Sequence, residues 1–477
     1  MIRRSASSRS IQLRAAVGVL ASLSLACVSP STVLAQDGDA VIELSTSSEQ
    51  AKAHFWAGLE DAHNLYLPGA VRHLDEAVEA DPDWGIAHVM RAQFAAMPNS
   101  QRLEDISRGI AAMGEATGDE LLMASAILAG RTGNSPEASR MIATLRRNNP
   151  DDSYAAFWAA RTAGARGSQM DPEAMWESVI EDFPEYAASY NALAYHRWGT
   201  NDQSGALEAV RDYLRLAPDH PNPHDSYAEI LQGMGHYADA LTHYGHAAAR
   251  ADDYTAAHTG MAETYVLMGE YEQAAAHMER AAEMSAGVAQ ANFLRGAANA
   301  YMLGGDRSEA MDALTAAAEA APNDGARQVA YLQMALTAGL MGEGGDVQVH
   351  LDQAAGLGDD TPLFHGMSAL AHAAAGHHDE ADAAAGAMGD VNAFWASMGE
   401  VAQGLALVND GDAAGAMDAL SGADMTNPMV QAVMTLALDD LDRDAEAEAL
   451  RSDVLNRRML NLTNPFVGAS RYLVGEH

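Results

Sequence analysis

The chain has 477 residues, 48% hydrophobic and 20% charged, a globular composition that excludes wholesale disorder. Its 66 acidic residues against 28 basic ones give a formal charge of −38, which excludes nucleic acid and disfavours anionic membrane surfaces as partners. Aromatics make up only 6% while alanine and the 41 glycines abound, so close-packed helices suit the chain and a β-sandwich does not.

Residues 1–35 read as a secretory signal peptide. Arg3, Arg4, Arg9 and Arg14 form a basic leader before the apolar run AAVGVLASLSLAC, and Val33 and Ala35 take the small-residue positions before a cut at Gln36. The protein is therefore expected to be exported, periplasmic or extracellular, with residues 36–48 an extended linker to the first helix. Cys27 is the only cysteine, and Ser24 three places before it makes a poor lipobox, leaving a lipoprotein anchor as the minor alternative. A chain starting at Gln36 carries no cysteine, so disulfides, thiol catalysis and Cys-ligated zinc drop out together. No later stretch stays apolar for about 18 residues, so no transmembrane span is expected.

A step of 34 residues organises the remainder of the chain. Gly58, Ala92, Ala126, Ala160, Ala194, Ala228, Ala262 and Gly296 lie one step apart, and all are small. Ala70, Ala138, Ala206, Ala240 and Ala274 keep the same phase twelve residues further on, and Pro82, Pro150, Pro184 and Pro218 close four units. Each unit reads as two amphipathic helices joined by a short turn, with proline stopping the second. Small residues are needed where helices cross closely, because a larger side chain would push the backbones apart.

These positions resemble the tetratricopeptide repeat (TPR) family. Its pattern is carried by Tyr190, Leu193, Ala194, Ala206 and Pro218, by Tyr227, Ala228, Gly235, Ala240, Tyr244 and Ala247, and by Met261, Ala262, Tyr265, Gly269, Ala274 and Ala281. A slip of two residues continues it through Ala298, Tyr301, Gly305, Ala310, Leu314, Ala317 and Pro322, and Gly342, Gly376 and Gly411 mark later turns. The resemblance implies an all-α, right-handed α-solenoid of about eleven or twelve helix-turn-helix repeats. Clear repeats occupy 49–324, degenerate ones 325–455, and residues 456–477 form a capping helix and a frayed tail.

No phosphate loop, GxSxG elbow or HExxH motif occurs, so no catalytic, cofactor-binding or metal-binding residue is assigned and the protein is not expected to be an enzyme. Seven of the eighteen histidines fall between His220 and His277, and His243 and His246 lie on one helix face. Because His54, His88, His224 and His258 share one repeat position, they are read as packing residues, with copper or other metal handling the lesser alternative. The family resemblance implies a partner-binding groove lined by four positions of each first helix. Here these include Tyr154, Phe157, Arg161, Asn191, Tyr195, Trp198, Asp225, Glu229, Thr259, Glu263, Asn292, Arg295 and Asn299. Asparagines suit a partner's main chain, and Asp225, Glu229 and Glu263 suit a basic segment. The alternative for Tyr195 and Trp198 is packing against the neighbouring repeat. The implied function is an interaction scaffold of the cell envelope for a protein or peptide; an accessory role in envelope assembly or polysaccharide export is the other reading.

Overall fold

The computed structural model describes residues 42–164, 171–342, 344–388, 392–457 and 460–475. The expected signal peptide, Cys27 and the start of the linker lie outside them. Among the described residues there are twenty-five helices and no strand, and no helix is long and apolar enough to cross a membrane. Within the units, consecutive helices pair and most pairs pack on the next, so the chain is an α-solenoid of helical hairpins.

The chain divides into two compact units, one comprising residues up to 56 and 73–183, the other 57–72 and 184–477. The first hairpin contributes to both: its helices are α1 (Glu49–His63) and α2 (Leu67–Ala80). The first unit continues with α3 (Gly85–Phe94), α4 (Asn99–Ala111), α5 (Gly118–Arg131), α6 (Ser135–Asn148), α7 (Ser153–Gly164) and α8 (Pro172–Asp182). The second holds α9 (Ala187–Gly199), α10 (Gln203–Leu216), α11 (Pro221–Gly233), α12 (Tyr237–Ala248), α13 (Thr255–Leu267), α14 (Tyr271–Glu283), α15 (Gly287–Leu303) and α16 (Arg307–Ala320). It goes on through α17 (Asp324–Leu340), α18 (Gly344–Ala355), α19 (Pro362–Ala374), α20 (His378–Ala387), α21 (Ala393–Asn409), α22 (Ala413–Ala419), α23 (Pro428–Asp440), α24 (Asp444–Leu455) and α25 (Pro465–Val474). Among the described residues these make twelve hairpins and a final helix.

The small residues of the 34-residue step sit where helices cross: Ala92, Ala126, Ala160, Ala194, Ala228 and Ala262 are all buried, as are Ala70, Ala138, Ala206, Ala240 and Ala274. Gly260 shows why size matters, since a Cβ there would meet the Tyr244 ring at 2.3 Å. The turn between paired helices needs one residue in the left-handed region. Gly235, Gly269, Gly305, Gly342, Gly376 and Gly411 supply it at φ between 75° and 84°. At the matching turns Leu65, Asn201 and Asp442 take the same conformation without being glycine.

In the first unit, the non-helical residues 42–48 are pinned. Ser45 N–H donates to Glu120 at 2.9 Å, and the Trp84 indole N–H donates to the same carboxylate oxygen at 2.7 Å. Glu120, wholly buried, also completes the capping box with Thr117 that starts α5.

Candidate partner-binding groove

The groove positions separate into three kinds. Tyr154 and Phe157 on α7 are 6% and 4% exposed, and they pack against Trp56, Trp158 and Trp176 with ring centroids 5.4–6.0 Å apart. They build the first unit's interior, while Arg161 on the same helix is exposed. Trp198 on α9 is 9% exposed and fills the space that a side chain at position 233 would occupy, with its Cζ2 2.4 Å from where a Cβ on Gly233 would lie. These aromatic side chains face the neighbouring helix, which removes them from any contact surface.

The second kind is a set of three carboxyl groups on α11 and α13. Tyr195 Oη donates to Glu229 Oε2, one step of 34 residues away. Asp225 and Glu229 are one turn apart on α11, and Glu263 repeats the Glu229 position on α13, as the periodicity requires. All three are half-buried by surface, yet burial is the main cause that raises their pKa values. Asp225 is pushed up to about 7, by desolvation first and the neighbouring Glu229 charge second. Glu263 is held well above the carboxylate range by burial and by the charges of Glu229 and Asp225. Among the described residues none of the three forms an ion pair, and Asp225 Oδ1 is buried without a hydrogen-bond partner. Asn191, a turn before Tyr195, likewise has a buried side-chain oxygen with no partner. Thr259 hydrogen-bonds its own helix, to the Ala256 carbonyl at 2.9 Å. The arrangement sets three carboxyl groups together whose ionised forms are disfavoured until a cation joins them.

The third kind is already in use. Arg295 and Asn299 on α15 are buried and wired to Gln333 on α17: Arg295 Nε donates to Gln333 Oε1 at 2.8 Å, and Gln333 Nε2 donates to Asn299 Oδ1 at 2.9 Å. Asn292 accepts from Arg295 Nη1 at 2.9 Å. The remaining donors grip main chain. Arg295 Nη2 reaches the Thr463 carbonyl at 2.9 Å, and Asn299 Nδ2 reaches the carbonyls of Leu462 at 2.7 Å and Asn464 at 3.3 Å. Burial lowers the Arg295 pKa to about 10, still far above neutrality, so the guanidinium stays charged.

These contacts seat the C-terminal segment within the second unit. Leu460 and Leu462 are buried with Val266, Met278, Leu303, Leu314 and Met334, and α25 packs on α23, α15, α24 and α17. A Cβ on Gly468 would lie 2.5 Å from Asn299 Oδ1, so only glycine lets α25 come this near. A second long-range contact was equally absent from the sequence pattern. The turn of the first hairpin lies across the starts of α9, α11 and α13. His63 hydrogen-bonds Tyr186, Asp61 lies 3.4 Å from His220, and Tyr66 Oη donates to Asp253 at 2.7 Å.

Residues 231–287, which run from the end of α11 into α15, match the family model of the tetratricopeptide repeat. That stretch thus carries the tetratricopeptide repeat, set within a longer stack of helical hairpins. Among solved structures, a thermophilic TPR protein of Thermus thermophilus is 21% identical over 35% of this chain and 92% of its own, with a TM-score of 0.31. MamA is 14% identical over 33% and 93%, at 0.29, and YrrB, described as a TPR protein with an unusual peptide-binding site, is 12% identical over 44% and 92%, at 0.27. No curated protein matches the sequence.

Proposed function

We propose that this chain is a non-catalytic interaction scaffold of the cell envelope. On this reading its first-helix stripe holds a polypeptide partner by the main chain, while Asp225, Glu229 and Glu263 receive a basic side chain. One observation carries the reading: Arg295 and Asn299, groove positions by repeat spacing, donate to three successive carbonyls of a non-helical segment. Main-chain carbonyls are common to every peptide, so such donors give grip without sequence preference. The three carboxyl groups one and two hairpins earlier supply the preference, since a guanidinium or ammonium group beside them would pair with charge that has no ion-pair partner among the described residues. Export rests on the basic leader and apolar run of residues 1–35.

Affinity capture from envelope extract with the full chain as bait tests the function. Glu229→Gln with Glu263→Gln should weaken capture of the partner more than about tenfold while far-UV circular dichroism stays unchanged. A folded double variant that captures at full strength refutes the groove assignment. N-terminal sequencing of envelope-localised protein should begin at Gln36; a start well downstream, or a lipid on Cys27, contradicts the simple export reading.

A further inference from the structure

Three hairpins repeat one constellation of side chains. In each, a histidine on the first helix faces a second histidine nineteen residues on, and the residue three further on lies on the same face of the second helix. The first hairpin carries His54, His73 and Glu76; the sixth carries His224, His243 and His246; the seventh carries His258, His277 and Arg280. The frame recurs in phase with the 34-residue step, so the three sites are copies that differ in the third residue alone.

In the first hairpin, His54 Nδ1 and His73 Nδ1 lie 2.9 and 3.0 Å from the same oxygen, Glu76 Oε2. Among the described residues these three form the group whose donor atoms all lie within 4.8 Å of one another. Tetrahedral zinc with bonds of about 2.0–2.2 Å separates its ligand atoms by roughly 3.4 Å, so a spread of a few tenths of an ångström admits an ion. Side-chain exposures of 28%, 31% and 41% leave room for a water as fourth ligand. In the sixth hairpin His224 Nδ1 is 2.9 Å from His243 Nδ1, and the His246 ring centroid is 5.1 Å from that of His224 and 6.2 Å from that of His243. Imidazoles sharing a tetrahedral ion stand roughly 5 Å apart, so a small turn of the exposed His246 closes the set. The seventh hairpin keeps the facing pair, His258 Nδ1 to His277 Nδ1 at 3.1 Å, but puts a guanidinium where the third ligand would be. An arginine cannot ligate a metal ion, so the seventh hairpin lacks its third ligand; the cation near the sixth, Arg250, takes no ligand position and is held by the carbonyls of Pro218 and His246 at 2.7 Å each.

We propose that the first and sixth hairpins each bind a divalent first-row transition metal ion, through His54, His73 and Glu76 and through His224, His243 and His246, and that the seventh, capped by Arg280, does not. Two imidazoles with a carboxylate, or three imidazoles, form a borderline donor set suited to Zn²⁺, Cu²⁺ or Ni²⁺ rather than to Ca²⁺ or Mg²⁺. The strongly acidic chain draws cations towards both sites. The first site shares no residue with the groove positions, and His224 of the sixth is the chain neighbour of Asp225, so the metal count of the first site tests this reading separately from the scaffold function.

The test is calorimetric titration of the full chain, purified without a histidine tag and stripped with chelator, using ZnCl₂ as the probe. Two ions per chain are expected, with dissociation constants below about 10 μM. His54→Ala with His73→Ala should leave one, and His224→Ala with His243→Ala should leave one. His258→Ala with His277→Ala should leave two. Glu76→Gln, which keeps shape and hydrogen bonding, should weaken the first site more than about tenfold. Co²⁺ in place of Zn²⁺ gives a second readout, the visible bands of tetrahedral cobalt, which should halve in either of the first two double variants; circular dichroism checks that each is folded. No binding tighter than about 100 μM, a stoichiometry that those variants leave unchanged, or equal loss in the His258 and His277 variant overturns the proposal.

Discussion

Two stretches of one stripe, α9–α13 and α15–α17, place polar side chains at equivalent repeat positions and arrive at opposite states. On α15 and α17 the amide and guanidinium groups of Arg295, Asn299 and Gln333 bond one another and three carbonyls of the C-terminal segment. On α11 and α13 the carboxyl groups of Asp225, Glu229 and Glu263 crowd together, with pKa values raised and one buried oxygen unpartnered. The difference lies in what each can accept. Donors are satisfied by the main chain of any segment, including the protein's own, whereas buried carboxylates need protons or a cation that the chain does not supply.

The contrast can be broken most forcefully at its filled end. Leu462 is wholly buried, and Leu462→Asp puts a carboxylate among aliphatic side chains, a loss of about 3–5 kcal/mol in denaturant unfolding. Amide exchange over 460–474 should speed up while α9–α13 keep their protection; a loss below about 1 kcal/mol would mean the segment is not seated as described. Asn299→Ala removes the donor to Leu462 and one of the two acceptors of the Gln333 amide, for about 1–3 kcal/mol by the same measurement.

At the acidic end the sign reverses. Glu263→Gln should stabilise the folded chain by about 1 kcal/mol at pH 8, because it removes a carboxylate that burial and like charges disfavour. The pH dependence has the same origin. Unfolded carboxyl groups ionise near pH 4, whereas Asp225 holds its proton up to about pH 7 in the folded chain. The folded state therefore binds more protons across that window, and stability should fall as pH rises from about 4 to 7, then level off. Thermal melts from pH 5 to 8 read this directly, and Asp225→Asn should flatten the slope. Binding of a basic segment should run the other way and tighten as pH rises through 7, since the ionised carboxyls are its partners. The smallest effect is global. Salt screens the self-repulsion of a chain at −38 over about 10 Å at 0.1 M, so the melting temperature should climb by a few degrees between low salt and 0.5 M NaCl.

What could be read from the sequence was whatever the 34-residue step encodes. Ala194, Ala228 and Ala262 recur because each helix crossing repeats, and each is fully buried. Glu229 and Glu263 obey the same rule, and the spacing placed them on one stripe. Periodicity does not say which edge of a stripe meets the next helix, so Trp198, one turn beyond Tyr195, turned inward against Gly233. It is blind too to contacts made once. The bonds from Asn299 to Leu462 and from Tyr66 to Asp253 span 163 and 187 residues, and nothing in a repeat pattern marks their partners. The facing histidines fall between these cases: their repeat phase was visible, but their pairing across a hairpin depends on how the turn sets one helix against the other.

The seating of residues 462–464 on Arg295 and Asn299 has a kinetic and competitive side. Those residues are tethered to the stack through α24 and α25, so they meet their site at the effective concentration of an attached segment, on the order of millimolar for a short linker. A free peptide making the same three carbonyl contacts, at micromolar abundance, would occupy the site only by binding it about a thousandfold more tightly than the tether-free segment does. Entry at α15 is thus set by how often residues 462–464 let go of Arg295 and Asn299.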